Sequence, residues 1–435
     1  MEASAEAFGR GFLVGGCREA GVRERVLEFE EALAEVLRHA LAGPPPSAKE
    51  RVSITEAAGR VLASAVRAER DQPPFARSTR DGYAVRSGDV AAGRGLRIVG
   101  SVRAGEQWRG DEVRSGEAIE IMTGAPAPAG TDAVLMVEHA TVGDDGLLRV
   151  AAGRALGPGE NIVAQGAEAR ADAELIPVGR RLGAAEIAMA ASCGYAQMDV
   201  FARPRVAIVA TGDELVELDA ELESYQIRNS NSYALAALVG EEDGEAVRFP
   251  TARDVMSDLR ERIIAGREAD LLLLSGGVSM GKYDLVEQAL REAGAELIFT
   301  GAWIQPGKPV VFGRMRRDQS ERKWTYFFGL PGNPVSTEVC FRLFVAPMLR
   351  ALAGQTEISP RFVEARLAED VKSGARVTRF LPAVIESDWQ HVTVRLVPWQ
   401  GSGNLAANAR ASGFVVLPGG VERFAAGESV RVLLR

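Results

Sequence analysis

The alternation of apolar and polar residues divides the 435-residue chain into segments of different predicted secondary structure. Apolar residues recur every three or four positions from Glu24 to Leu41, which predicts an amphipathic helix. A second helix is predicted for Ser53–Val66, because serine, threonine and glutamate at its start are typical of a helix N-terminus. The small-residue segment 182–194 predicts a further helix, closed by Gly194.

Longer patterns indicate the class of fold. Short β-prone segments separated by glycine and proline fill residues 73–150, which predicts a small β-rich domain. From Arg203 to about Gly354, uniformly apolar strands alternate with helices, which predicts a mainly parallel sheet covered on both faces. Short strands return in 359–435 and predict a small β-barrel or sandwich. The predicted fold class is therefore α/β multidomain, with a doubly wound sheet domain at its centre.

Composition and charge narrow the class of protein. Hydrophobic residues make up 46% and charged residues 25%, which excludes a disordered or collagen-like chain. A net charge of −8 argues against a nucleic-acid partner, although it allows a local pocket for one small anion. No apolar run approaches the roughly 18 residues that span a bilayer, so no membrane partner is predicted. Three distant cysteines, Cys17, Cys193 and Cys340, predict neither disulfides nor a zinc site, and favour a cytoplasmic protein.

Three polar, glycine-containing loops follow predicted strands of the α/β region, which is where ligands bind in such folds. Glycine lets backbone N–H groups approach an anion, and the next helix N-terminus adds partial positive charge. Each loop alone is equally compatible with ordinary turn chemistry, but three in succession favour a phosphorylated small molecule or an oxyanion. The first loop is TGDE at 211–214. The candidate binding residues of the other two are Ser275, Gly276, Gly277 and Ser279, then Gly329, Pro331, Gly332, Asn333, Pro334 and Ser336.

Carboxylates in the same loops need a separate explanation. Beside anion-binding amides, negative charge is unfavourable unless a cation intervenes, and Mg²⁺ takes one or two carboxylates together with substrate phosphates. Glu214 and Asp284 are therefore candidate metal ligands, with helix capping as the alternative. Lys308 lies in a rigid Pro-Gly turn and is a candidate cation for phosphate or an oxyanion. Signatures of zinc proteases, α/β-hydrolases, P-loop proteins and dinucleotide-binding proteins are missing from the sequence.

Taken together and in order, eight motifs closely resemble those of the molybdopterin molybdenumtransferase family, which includes MoeA and the E domain of gephyrin-like proteins. The resemblance extends from about Glu24 to Arg435. It implies a homodimer that inserts molybdate into adenylylated molybdopterin with Mg²⁺ and releases AMP. It also implies molybdopterin adenylyltransferase and acceptor molybdoenzymes as partners. The motifs are PPFARSTRDGYAV, IMTGAPAPAGTDAV, GENI, PRVAIVATGDEL, IRNSNSY, LLLLSGGVSMGKYD, IQPGKPVVFG and GLPGNPVS.

The resemblance also implies an elongated subunit of four domains, preceded by an N-terminal extension. The expected extension is 1–23, the discontinuous linker and dimerisation domain is 24–65 with 156–200, the β-rich domain is 66–155, the α/β molybdopterin-binding domain is 201–354, and the C-terminal β domain is 355–435.

Matched position by position, the resemblance implies catalytic roles for Asp81, Thr123, Glu214, Asp284 and Lys308. Glu214 and Asp284 would organise Mg²⁺ and the pyrophosphate link, and Lys308 would neutralise phosphate or molybdate. Asp81 would reach the cleft of the opposite subunit.

Ser402, in QGSGN, resembles a family serine near molybdate, but other positions depart from the family pattern. Gln305 replaces the first cation of KPGK, Asn161 replaces a common carboxylate, and Pro382 stands where a final arginine is usual. Each lost charge-assisted contact to an oxyanion costs roughly 1 kcal/mol or more. The choice between molybdate and tungstate therefore stays open.

Two alternatives also stay open. The α/β region resembles molybdopterin adenylyltransferases in its SGG and PGNP loops, so adenylyl transfer is the nearest enzymatic rival. The other is a catalytically silent scaffold that holds molybdopterin.

Overall fold

The computed structural model describes residues 25–43, 48–277, 285–317 and 323–435. The chain divides into two compact units. Of the described residues, the first contains 25–43, 203–277, 285–317, 323–353 and 358–435, and the second contains 48–202 with 354–357. The finer four-domain division stays a prediction.

A six-stranded sheet, the central sheet, forms the middle of the first unit. Its first four strands run parallel to one another, and the last two pairings are antiparallel. The predicted mainly parallel sheet is therefore confirmed. In order across the sheet the strands are Glu245–Arg248, Arg205–Ala210, Leu271–Ser275, Trp324–Leu330, Val311–Arg316 and Glu296–Phe299.

Helices cover both faces of the central sheet, as the continuous apolar strands require. Along the strand Arg205–Ala210, Val206 and Ile208 pack on one face, and Ala207 and Val209 pack on the other. The helices on the first face are Phe29–Ala42, Ser230–Glu241 and a long helix made of Pro334–Cys340, the π-helical turn Phe341–Val345 and Ala346–Leu352. The helices on the second face are Met256–Gly266 and Leu285–Glu292.

The predicted first helix begins later than its apolar pattern suggests. Val26 and Leu27 form a short strand that pairs with Gly301–Ala302, so the helix begins only at Phe29. From Arg205 onward, strands alternate with helices, as the pattern of apolar residues predicts.

The C-terminal region closes into a small barrel. Five strands pair in a ring, since the strand Thr378–Ser387 contacts both Val392–Leu396 and Gly413–Leu417. A barrel, not a sandwich, is therefore the observed form. Around the ring the strands are Thr378–Ser387, Val392–Leu396, Phe362–Leu367, Ser429–Leu434 and Gly413–Leu417. The short strand Ile304–Gln305 pairs with Thr378–Ser387. Outside the ring, Val371–Lys372 pairs with Arg423–Phe424, and Leu405–Arg410 forms a helix.

The second unit contains the predicted β-rich sheet. Its six strands, in order, are Ala133–Met136, Gly82–Val85, Glu117–Ile121, Leu96–Val102, Leu147–Val150 and Ala140–Val142, with the helical segments Ser87–Ala91 and Val137–His139 between them.

The rest of the second unit consists of short paired strands and one helix. Residues 53–66 do not form the predicted helix: only Ile54–Glu56 makes a single 3-10 turn. Gly59 adopts φ +81°, and the N–H of Leu62 donates to the carbonyl of Arg180, so pairing with a distant segment replaces helical hydrogen bonds. The pairs are Lys49–Ser53 with Gln197–Phe201, Val66–Arg67 with Glu174–Ile176, and Arg77–Ser78 with Ile162–Val163; Ala184–Ser192 is the helix.

The predicted helix at 182–194 is confirmed, and Gly194 follows it at φ +82°. None of the helices in the described ranges combines the length and apolar character needed to cross a bilayer.

Candidate functional site

The carboxyl ends of three neighbouring parallel strands open into a cavity of about 670 Å³, here called the strand-end cavity. After the strand Arg205–Ala210, the next strand of the sheet, Glu245–Arg248, pairs on one side of it, and Leu271–Ser275 then pairs on the other side. Such a switch in strand order is where open α/β sheets bind ligands. The cavity is lined mainly by Thr211, Gly212, Glu214, Asn229, Ser230, Asn231, Asp254, Ser275, Gly276, Gly277, Pro331, Gly332, Asn333 and Pro334.

Two glycines in this cavity have no room for side chains. Gly276 has φ +96°, and a Cβ there would lie 2.4 Å from the carbonyl oxygen of Thr211. Gly277 has φ +65°, and its Cβ would lie 2.7 Å from Val286 Cγ2. Bare backbone at these positions suits a ligand that accepts hydrogen bonds from peptide N–H groups.

An asparagine ties the three loops together. Asn231 Nδ2 lies within hydrogen-bond distance of Ser275 Oγ, at 3.0 Å, and of the Gly332 carbonyl oxygen, at 2.8 Å. It also lies 3.3 Å from the hydroxyl of Thr337. Because the Gly332 carbonyl only accepts, the amide nitrogen must face it. The sequence analysis missed this residue, whose signal was the motif IRNSNSY.

A second missed residue is Asp254. Its carboxylate accepts a hydrogen bond from the Thr211 hydroxyl at 2.6 Å, and its N–H donates to Asp213 Oδ1 at 3.3 Å. Asp254 and Glu214 both line the strand-end cavity. Within the described ranges, no group of three or more His, Cys, Asp and Glu side chains could hold a metal ion. The predicted site residues Ser279 and Asp284 lie outside those ranges.

A second cavity, of about 470 Å³, adjoins the first and shares Pro309, Pro331 and Asn333 with it. It is here called the lysine cavity. Ser402 belongs to its wall, and the Ser402 carbonyl accepts a hydrogen bond from the N–H of Val335 at 3.0 Å. The wall consists of residues 304–309, Pro331, Asn333, Ser336, Arg379, Trp399, Gly401 and Ser402.

Two cationic side chains face the lysine cavity. The Lys308 ammonium lies 4.1 Å from the centre of the Trp303 ring. Burial lowers the pKa of Arg379, and its Nε is buried without a hydrogen-bond partner. An ordinary arginine pKa lies so high that the guanidinium stays charged at neutral pH. Gln305 also lines this cavity and adds no charge.

Asp81 and Thr123 lie together in the second unit. Both the N–H and the hydroxyl of Thr123 donate to Asp81 Oδ1, at 2.6 and 2.8 Å. These hydrogen bonds, the backbone one first, hold the pKa of Asp81 below its usual value. The carboxylate is therefore ionised at neutral pH.

One predicted binding residue lies away from both cavities. Gly329 is inside the strand Trp324–Leu330, where it pairs with Leu274 on one side and Val311 on the other. It lines neither cavity. The GLPGNP segment is thus still strand at its first glycine, and its loop begins at Pro331.

The fold and these cavities define a multidomain α/β protein with a candidate anion site where the strand order switches. Comparison with protein families identifies three regions in the expected order. Residues 27–194 match the MoeA N-terminal region (domain I and II), residues 207–351 match the probable molybdopterin binding domain, and residues 364–434 match the MoeA C-terminal region (domain IV).

Relatives of similar length agree with these matches. The chain is 36% identical over 392 residues to the molybdopterin molybdenumtransferase of Nostoc sp., covering 88% of each chain. It is 31% identical over 410 residues to that of Haemophilus influenzae, covering 94% of this chain and 98% of the relative. The solved molybdopterin biosynthesis moeA protein from Pyrococcus horikoshii OT3 has a TM-score of 0.75 at 28% identity, covering 94% and 100%.

The chain belongs to the molybdopterin molybdenumtransferase family, and the family predicted from its motifs is confirmed. It is a transferase of molybdenum cofactor biosynthesis.

Proposed function

We propose that this protein inserts molybdate into adenylylated molybdopterin in a Mg²⁺-dependent reaction that releases AMP. The observation that carries the proposal is the pair of adjoining cavities with different chemistry. One offers bare glycine backbone, a helix N-terminus and carboxylates, and the other offers two cations and two serines. Pro331 and Asn333 border both, so ligands in the two cavities would be neighbours.

The strand-end cavity suits the phosphate groups of adenylylated molybdopterin. Gly276 and Gly277 leave peptide N–H groups accessible, and Asn229 caps the helix Ser230–Glu241 whose N-terminus lines the cavity. Backbone N–H groups and a helix N-terminus stabilise anions together. The proposed role of Ser275 and of residues 331–334 is to hold this substrate in the cavity.

The carboxylates of the same cavity fit Mg²⁺. Glu214 and Asp254 supply oxygen donors, and Mg²⁺ prefers oxygen and is often shared between one or two carboxylates and substrate phosphates. Asp284 is the third proposed ligand. When bound, Mg²⁺ would supply positive charge that offsets the negative charge of the pyrophosphate link and polarises it for hydrolysis.

The lysine cavity suits molybdate. Lys308 and Arg379 would neutralise the oxyanion, and the Ser402 hydroxyl and the Ser336 hydroxyl would orient it. In the proposed reaction the dithiolene sulfurs replace molybdate oxygen, which leaves as water with the thiol protons. Hydrolysis of the pyrophosphate bond releases AMP.

The remaining parts of the proposal come from the family resemblance. We propose a homodimer in the cytoplasm, in which the ionised Asp81 completes the site of the opposite subunit. The adenylyltransferase that makes the substrate and the molybdoenzymes that accept the product are the proposed partners. Free Cys193 and Cys340 are compatible with a reducing compartment.

The test is AMP release from adenylylated molybdopterin with Mg²⁺, with and without molybdate. We expect molybdate-dependent AMP release that Asp284→Ala abolishes. ATP consumption on incubation of the protein with MgATP and molybdopterin that carries no adenylyl group would instead identify an adenylyltransferase. Tight substrate binding by wild type without molybdate-dependent turnover would identify a scaffold, and either result would overturn the proposal.

A further inference from the structure

The Lys308 ammonium is stacked on an indole. Its Nζ lies 4.1 Å from the centre of the Trp303 ring, well inside the roughly 6 Å over which a cation is attracted to an aromatic face. Lys308 belongs to the wall of the lysine cavity, whereas Trp303 is not among the described residues that line it. The indole therefore contacts the cation without occupying the ligand space.

The contact leaves the positive charge available. In the part of the chain that the structure describes, no carboxylate lies within ion-pair distance of Lys308. A carboxylate partner would neutralise the ammonium and compete with an incoming anion. An aromatic face attracts the cation through its quadrupole and adds no net charge.

The backbone on both sides of the contact is fixed. Trp303 N–H donates to the carbonyl of Leu27 at 2.8 Å, and the Lys308 carbonyl accepts from the N–H of Ala302 at 3.0 Å. The buried Cys340 thiol lies 3.5 Å from the Gly307 carbonyl oxygen, and a Cβ on Gly307 would lie 2.6 Å from Cys340 Sγ. With the turn held so closely, the flexible part that remains is the four-carbon lysine side chain, and this is the part that the indole holds.

The wall of the lysine cavity offers an anion few cations besides Lys308. Lysine occurs only five times among the 51 basic residues of the sequence, and the neighbouring Gln305 is neutral. Lys308 and Arg379 are the cationic side chains in the wall of the lysine cavity, as far as the described residues go. Holding Lys308 in one orientation therefore affects a large share of the positive charge that an oxyanion meets.

We infer that Trp303 is a positioning residue for oxyanion binding, because its indole holds the Lys308 ammonium against the lysine cavity. The ammonium is then in place before the anion binds, so less side-chain entropy is lost on binding. The identity of the anion as molybdate rests on the proposed function, but the contact between the two side chains does not.

The first test needs no ligand. Reductive methylation with a ¹³C label keeps the charge of lysine and gives each of the five lysines an NMR signal. We expect one signal shifted upfield by the indole ring, absent in Lys308→Met and returned to the ordinary lysine position in Trp303→Leu. Trp324→Leu is the matched control, since the Trp324 ring stacks under the guanidinium groups of Arg314 and Arg316, at 4.0 and 4.6 Å. A Lys308 signal that Trp303→Leu does not move would overturn the inference.

The second test is a double-mutant cycle on the dissociation constant for molybdate alone. We expect Trp303→Leu to weaken binding about 3- to 10-fold in the wild-type background, with Trp303→Phe in between. In a Lys308→Met background the same change should have almost no effect, because the interaction is already lost. Equal losses in both backgrounds would mean that Trp303 acts only through packing and would contradict the inference. Wild-type protein that fails to release AMP would refute the proposed function and leave the NMR result standing.

Discussion

The hydroxyl of Thr211 donates a hydrogen bond of 2.6 Å to the carboxylate of Asp254. Thr211 follows the central strand Arg205–Ala210, and Asp254 lies two positions before the helix Met256–Gly266. The bond holds Asp254 in the wall of the strand-end cavity, in the same cavity as Glu214. A carboxylate fixed there suits Mg²⁺ better than a freely rotating one.

The first prediction concerns Asp254. We expect Asp254→Asn to raise the Mg²⁺ concentration needed for half-maximal AMP release by roughly 10- to 100-fold, because a ligand charge is lost. Thr211→Val should have a smaller effect of the same kind, since it removes only the hydrogen bond. A magnesium titration of AMP release checks both. Unchanged magnesium dependence in Asp254→Asn would exclude this residue from the metal site.

The second prediction concerns Asn231, which joins the loops that carry Ser275 and Gly332. Asn231→Ala removes hydrogen bonds worth about 1 kcal/mol each, so we expect KM for adenylylated molybdopterin to rise about tenfold. KM for molybdate should stay near wild type. Ser232→Ala, a buried neighbour on the same helix whose hydroxyl accepts from Arg248, is the control for loss of stability alone. Equal changes in both KM values would indicate a general loss of structure.

The third prediction concerns pH and stability. Burial lowers the pKa of His39, and the charges of Arg38 and Arg314 add to this effect. The ring packs against Phe312 and Tyr326. Because the folded pKa lies below the unfolded value of about 6.5, protonation favours the unfolded chain. The free energy of unfolding should therefore fall as pH drops below about 6.5, by at most about 1.4 kcal/mol per pH unit from this group.

Denaturant unfolding between pH 5 and 8 checks this prediction. His39→Phe should remove most of the decrease between pH 6.5 and 5, whereas exchange of the exposed His391 for glutamine should keep it. An identical pH dependence in His39→Phe and wild type would refute the assignment to His39.

The fourth prediction follows from the proposed homodimer. Asp81→Asn and Asp284→Ala should each be inactive alone. After subunit exchange, half of the dimers contain one subunit of each kind, and one of their two sites is intact. Activity should therefore recover to about one quarter of the wild-type value. No recovery, despite exchange shown by a tag on one variant, would mean that Asp81 acts within its own subunit or that no such dimer forms.

The sequence alone predicted the elements whose pattern is local and strong. LLLLS at 271–275 is a fully buried strand, as a continuous apolar run indicates for a sheet covered on both faces. The segment 53–66 has a helical composition, but Gly59 and long-range pairing of Leu62 override it. Only the tertiary fold supplies that pairing, so composition could not reveal it.

The site was predictable where glycine and loop position coincide, as at Gly276 and Gly277. Asp254 carries no motif of its own, because it enters the cavity through a hydrogen bond to a residue 43 positions away. Arg379 lies three positions before Pro382, in a segment that departs from the family pattern. The pairing of Gln305 with Arg379 between two strands brings it to the lysine cavity.

The central claim is that two adjoining cavities bind two different ligands, and a steady-state comparison of Lys308→Met with Glu214→Gln tests it most directly. We expect Lys308→Met to raise KM for molybdate at least tenfold and to leave KM for adenylylated molybdopterin within about twofold of wild type. Glu214→Gln should change the dependence on Mg²⁺ and on adenylylated molybdopterin without changing KM for molybdate. If both variants alter both substrates to the same extent, the cavities do not divide the ligands and the account is wrong.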